Sequence, residues 1–305
     1  MDKLPASLSR LFLSQRERRL RSGWRLVGQM AMLLFFLVLF GIPTGILLIA
    51  FPGITREGIF TLDKALTFLA VTASVFAARR LLDRRSIASL GLDWNRQAVR
   101  DLVFGFLLAG LLLGLVYLVE WAAGWLRFEG FAWQLDPWPV VLGWMAFMIF
   151  TFVLVGWQEE LLTRGYWLQN ISEGLDLAWG VSISAGLFAL AHIANPNADL
   201  QSIVGLVAAG LFLSFGYLRT RQLWLPIGLH IGWNFFEGPV FGFPVSGVQF
   251  YWLVHQRVEG PEIFTGGGFG PEAGLVILPA LLLGSVLIYL YTKDSSHRVV
   301  HKKRS

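Results

Sequence analysis

Three short clusters of ionisable and amide side chains interrupt long apolar runs in this sequence. The first is Glu159-Glu160-Leu161-Leu162-Thr163-Arg164. On a helix, residues four apart share a face, whereas neighbours diverge by about 100°. Glu160 is therefore placed to pair with Arg164, and Glu159 is turned to another face. A carboxylate held away from bulk water is suited to act as a general base near neutral pH. The second cluster, Phe188-Ala189-Leu190-Ala191-His192, puts an imidazole in an otherwise apolar run. The third, His230-Ile231-Gly232-Trp233-Asn234, places His230 and Asn234 one helical turn apart on one face. Both can donate hydrogen bonds, as the stabilisation of an oxyanion requires.

Each cluster also has a structural reading. The two glutamates can mark a cytosolic helix end, with Arg164 as an ordinary flanking cation. His192 can be an interfacial anchor bonded to a carbonyl. His230 and Asn234 can form an interhelical polar clasp. Against these stands the cost of ionisable groups in membrane helices, where they usually face a bundle interior or a watery cavity and mark function.

The elements that position these residues follow from composition. The 305 residues are 55% hydrophobic and 15% charged, with 13 Trp and 25 Phe. Soluble domains are less apolar and carry about 25% charged residues, so lipid is the solvent this composition demands. There is no cysteine, which excludes disulfides, thiolate nucleophiles, zinc–thiolate sites and iron–sulfur clusters. The net charge of +5 is concentrated in three places. These are the first stretch (Lys3, Arg10, Arg16, Arg18, Arg19, Arg21, Arg25), Arg79–Arg85, and the tail (Arg298, Lys302, Lys303, Arg304). Beside apolar runs, this pattern speaks for anionic lipid headgroups and membrane orientation, with no nucleic-acid partner.

A membrane crossing takes roughly 20 apolar residues. Eight candidate spans result: Trp24–Phe51, Leu62–Leu82, Leu102–Trp121, Val140–Leu162, Leu177–His192, Ile203–Leu218, Leu223–Phe241 and Gly274–Tyr291. The first is expected to be a retained helix and not a cleaved signal peptide. Connections after the second, fourth and sixth spans carry the arginines, and the opposite loops carry Trp, Pro and Gly. The positive-inside rule is then met with both termini cytoplasmic. The expectation is an all-α, polytopic transmembrane bundle of about eight spans in a bacterial or archaeal plasma membrane. A basic segment 1–23 precedes a membrane domain 24–292, with a motif core at about 156–237, and a basic, mobile tail 293–305 follows. The stretch 242–270 is long for a membrane loop and reads either as irregular structure without a role or as a lid over the outer face.

Depth links the first two clusters. If the chain reverses near Gly174, Glu159 lies about 15 residues before the turn and His192 about 18 after it. At 1.5 Å per residue they reach similar depths, provided the fourth helix continues past Arg164 to about Ser172.

Taken in order, the clusters resemble the CAAX-protease and bacteriocin-processing (CPBP) family, which includes the type II CAAX prenyl proteases and bacterial Abi-type membrane proteases. The family pattern Glu-Glu-x-x-x-Arg, Phe-x-x-x-His, His-x-x-x-Asn stands here at Glu159, Glu160 and Arg164, at Phe188 and His192, and at His230 and Asn234. A weaker likeness extends over Arg85–Leu92. The resemblance implies an intramembrane endopeptidase acting on membrane-associated or lipidated peptides or proteins. Glu159 with His192 would activate a water, His230 and Asn234 would stabilise the oxyanion, and Glu160, Arg164 and Phe188 would support the site. Family members are often labelled metalloproteases, but no cofactor is expected here, because a metal-free mechanism gives the His230–Asn234 pair a clear role. The alternative is zinc held by Glu159, His192 and His230, with an open water position. Rival classes are a proton-coupled transporter and a non-catalytic scaffold or immunity protein. The chain shows no internal repeat of the transporter type, and a scaffold has no need of the His230–Asn234 spacing.

Overall fold

The computed structural model describes residues 12, 13 and 19–293. Most of the basic 1–23 segment, with Lys3, Arg10, Arg16 and Arg18, lies outside the described residues. So does the tail beyond Lys293, with Arg298, Lys302, Lys303 and Arg304. The chain divides into two compact units, one from Met1–Asp93 with Trp157–Ser184, the other from Trp94–Gly156 with Ala185–Ser305.

In the first unit, helix α1 (Ser22–Ala50) packs against α2 (Arg56–Leu81). Thr55 starts α2 by accepting a hydrogen bond from the Gly58 N–H, Glu57 lies in its first turn, and Arg79 and Arg80 lie in its last. These are the cap and charge placements that the backbone dipole favours. α1 turns Leu34, Phe35, Val38 and Ile42 outward, as lipid contact requires, and buries Arg25 and Gln29. In the stretch after α2, Asp83 is buried and accepts from Arg25 at 3.1 Å and Arg79 at 2.8 Å. Glu173 draws in Arg25 at 2.8 Å and Arg19 at 3.0 Å, and also pairs with Arg85.

Helix α4 (Trp138–Glu160) begins in the second unit and enters the first at Trp157. It continues through a π-helical turn, Leu161–Trp167, into α5 (Leu168–Gly174), so that Trp138–Gly174 is one helical stretch of 37 residues. The continuation past Arg164 required by the depth argument is present. Single π turns within α-helices recur near functional sites, and this one begins directly after Glu160. Helix α6 (Leu177–Leu190) follows.

In the second unit, α3 (Arg96–Ala122) starts at Asn95, whose side chain accepts from the N–H groups of Gln97 and Ala98. It packs against α8 (Trp224–Phe235), in which every residue from Leu225 to Asn234 is buried. Helices α7 (Leu200–Thr220) and α10 (Ile277–Thr292) complete the packing around Leu112, Leu113, Phe212, Leu229 and Leu281. The short α9 (Glu262–Thr265) lies in the loop before α10.

Two findings refine the expected all-α, eight-span bundle. Strands β1 (Leu126–Phe131) and β2 (Val254–Val258) pair antiparallel, with a bulge between Phe128 and Gly130. Among the described residues, five helical stretches are long and apolar enough to cross a membrane: α1, α2, α3, Trp138–Gly174 and α7. The apolar helices α6 and α10 are shorter. The seventh expected span, Leu223–Phe241, becomes the 12-residue α8 and a π turn, Phe236–Val240. α8 is apolar on all sides because protein surrounds it, which is the other setting that produces such a sequence. The chain is a multi-pass membrane protein.

Candidate active site

The Glu159-Glu160 pair stands on the last turn of α4. Glu160 Oε1 accepts from Arg164 Nη1 at 2.8 Å, and neither side chain is exposed. Thr163 Oγ1 accepts a second hydrogen bond from the same Arg164 nitrogen at 2.9 Å. Glu160 is thus committed to an ion pair along its own helix. The segment is anchored further by Trp157, whose indole N–H donates to Thr72 at 3.0 Å, and by Trp167, which donates to Gln29 at 3.1 Å.

His192 was expected inside a helix. It lies instead in the turn after α6, two residues beyond Leu190, with its N–H bonded to the Ala189 carbonyl. Its Nδ1 is 2.9 Å from the Phe188 carbonyl oxygen, which can only accept. Nδ1 therefore carries a proton, and Nε2 is the basic ring atom of the neutral imidazole. The Phe188 ring lies 5.0 Å from that of His192 and edge-on to His230 at 5.9 Å, centroid to centroid, so one phenyl ring adjoins both imidazoles.

His230 and Asn234 lie on α8, whose placement depends on glycine. A Cβ at Gly228 would lie 2.1 Å from the Leu102 carbonyl oxygen, and one at Gly232 would lie 2.6 Å from that of Phe106. On α3, a Cβ at Gly105 would lie 2.5 Å from the Leu225 carbonyl oxygen. These three glycines let two helix backbones touch, as small residues do in membrane bundles. α4 also passes α8 closely, since a Cβ at Gly156 would lie 2.7 Å from Ile231 Cγ1.

His230 and Asn234 line a cavity together with Phe188, Trp233 and Glu272. The second unit thus gathers Phe188, His192, His230 and Asn234, and the first holds Glu159, Glu160 and Arg164. Sequence reasoning missed Glu272. Its Oε2 accepts from the Ser246 N–H at 3.1 Å and the Ser246 hydroxyl at 2.6 Å. Burial pushes this carboxyl above its usual range, a shift that Ser246, His192 and His230 oppose only in part. The available signal was the glycine-rich run Gly266–Gly270. Gly266, Gly267 and Gly270 all take positive φ, a sign of a tightly folded segment and not of a loose loop. Among the described residues, no group of three His, Asp or Glu is arranged to hold a metal ion.

Comparison with curated proteins and with solved structures gave no match. Residues 141–236 match the family model described as type II CAAX prenyl endopeptidase Rce1-like, and this stretch of the chain is a domain of that family.

Proposed function

We propose that this protein is an intramembrane endopeptidase that hydrolyses peptide bonds of membrane-associated or lipidated substrates with a glutamate-activated water. The observation that carries the reading is the grouping of His192 with the buried His230 and Asn234 around Phe188 in an otherwise apolar membrane protein. Polar groups placed there are costly, and three that offer one basic nitrogen and two donors match the needs of acyl transfer. The family domain supplies the reaction class.

In this mechanism, Glu159 and His192 take the proton of a water as it attacks the scissile carbonyl. His230 and Asn234 donate hydrogen bonds to the oxyanion that forms. The proton then passes to the leaving amine as the C–N bond breaks, which restores Glu159 and His192. Glu160 and Arg164 hold the helix that carries Glu159, and the chemistry runs through side chains alone. The chain would cross the plasma membrane about eight times with both termini cytoplasmic. The arginines of 79–100, Arg164, Arg219 and Arg221 then share the cytoplasmic side.

The test is purified wild type and Glu159→Ala in detergent, each incubated with quenched peptides, prenylated and plain, with and without a strong chelator. Cleavage by wild type alone that survives chelation is the expected result. Loss on chelation restored by zinc would make Glu159, His192 and His230 metal ligands, and equal cleavage by both proteins would remove Glu159 from the mechanism. Flux without cleavage that depends on Glu159 would mark a carrier.

A further inference from the structure

We propose that Glu272 is a positioning residue for His192 and His230, delivered to them by the segment between β2 and α10 and fixed by Ser246. This rests on reading His192 and His230 as working residues of the proposed function.

The segment 242–273 is folded down onto the second unit. The Gly247 N–H donates to the Phe269 carbonyl at 2.8 Å. A Cβ at Gly247 would lie 1.9 Å from the Pro196 carbonyl oxygen, so this backbone touches the turn that follows His192. From that turn, Asn195 Nδ2 donates to the Ser246 carbonyl at 3.0 Å. Ser246 then turns its N–H and its hydroxyl to Glu272 Oε2. One serine thus links the His192 turn to the Glu272 carboxylate. From another direction, α7 presents Gly205, where a Cβ would lie 1.9 Å from the Glu272 carbonyl oxygen. The turn Pro271–Ala273 is held against a helix backbone with no room for a side chain between them.

The carboxylate so held borders the cavity that contains His230 and Asn234, and it interacts electrostatically with both His192 and His230. Burying a carboxylate is unfavourable without compensation, and a serine supplies only part of it. In return, a carboxyl group fixed beside two rings restrains their orientation, as carboxylate partners do for functional histidines elsewhere.

The test reads the rings and the turnover separately. Protein labelled with ¹⁵N-histidine is prepared in detergent as wild type and Glu272→Gln, with ring signals assigned by single His→Gln replacements. Glu272→Gln is expected to move the ring-nitrogen signals of His192 and His230 and to leave that of His255 on β2 in place. It is also expected to lower kcat on the order of 10–100-fold with KM little changed. Ser246→Ala, which keeps the carboxylate and removes one anchor, shifts the same two signals less. It serves as the second variant if Glu272→Gln folds poorly. Gly205→Ala pushes the turn away and moves the same signals with the carboxylate intact. Unmoved His192 and His230 signals in all three variants would overturn the proposal. Moved signals in a protein whose wild type cleaves no peptide would uphold the docking of Glu272 while removing the proteolytic reading.

Discussion

Glu160 and Arg164 form a 2.8 Å ion pair, one turn apart on one helix, with neither side chain reached by solvent. The pair binds the first of the family's motifs to itself. Burying two charges gives little net stability, but removing one partner leaves the other uncompensated, at on the order of 3–5 kcal/mol. Arg164→Ala is therefore expected to lower the thermal midpoint and the folded yield in detergent. Replacing both partners by apolar residues of similar size recovers most of that loss. A double-mutant cycle on thermal unfolding measures the difference, and additive losses would show that the pair does not act as one unit.

The oxyanion role makes a different prediction. Removing one donor from such a site typically costs about 10²–10³ in turnover with folding intact. Asn234→Ala and His230→Ala are each expected to lower kcat by that order and to leave KM and thermal stability close to wild type. If both groups are merely a polar clasp, stability falls with the rate. Comparing kcat and melting temperature in the same preparations separates the two cases.

The motifs were legible because their spacing is local. A period of four needs only a helix, and the structure supplies it for Glu160–Arg164 and for His230–Asn234 on α8. Continuation of the fourth helix to Gly174 was legible too, because the depth argument demanded it before hydrophobicity did. The β1–β2 pairing was not legible, because its two strands lie more than a hundred residues apart in sequence and the bulge at Phe128–Gly130 breaks the alternation. Glu272 escaped for a similar reason, since its partners Ser246, His192 and His230 are distant and no spacing links them. The apolar run Leu223–Phe241 was legible as helical, but its division into the 12-residue α8 and the π turn Phe236–Val240 was not, because composition alone does not mark where a helix changes its winding.

Asp83 carries two arginines, Arg25 of α1 at 3.1 Å and Arg79 of α2 at 2.8 Å, and its side chain is fully buried. Asp83→Ala would leave both guanidinium groups facing a missing anion. The expected outcome is a loss of several kcal/mol by the same logic as for Glu160 and Arg164. It is seen as a lowered detergent melting temperature and as faster proteolysis in the α1–α2 region. Asp83→Asn keeps the shape and one acceptor, and so falls between Asp83→Ala and wild type. Equal melting temperatures for all three proteins would show that Glu173 suffices for Arg25, and Ser89 and Gln169 for Arg79.

Glycine at the contact of α3 and α8 gives the most direct test of how the fold sets the chemistry. At Gly228 an added Cβ would lie 2.1 Å from the Leu102 carbonyl oxygen, a backbone atom that cannot swing aside. Gly228→Ala must therefore move α8 away from α3, and His230, two residues on, moves with it. At Gly143 on α4 nothing lies within 4 Å of the added carbon. Alanine there is expected to be neutral or to stabilise by about 0.5–1 kcal/mol, because glycine weakens a helix interior. Gly228→Ala should lower peptide cleavage by at least the loss seen on removing one oxyanion donor, about 10²-fold, since both donors shift together. Gly143→Ala should leave cleavage unchanged. Equal activity in the two variants would mean that close contact of α3 with α8 is not what places His230 and Asn234, and the positioning argument built on those glycines would fail.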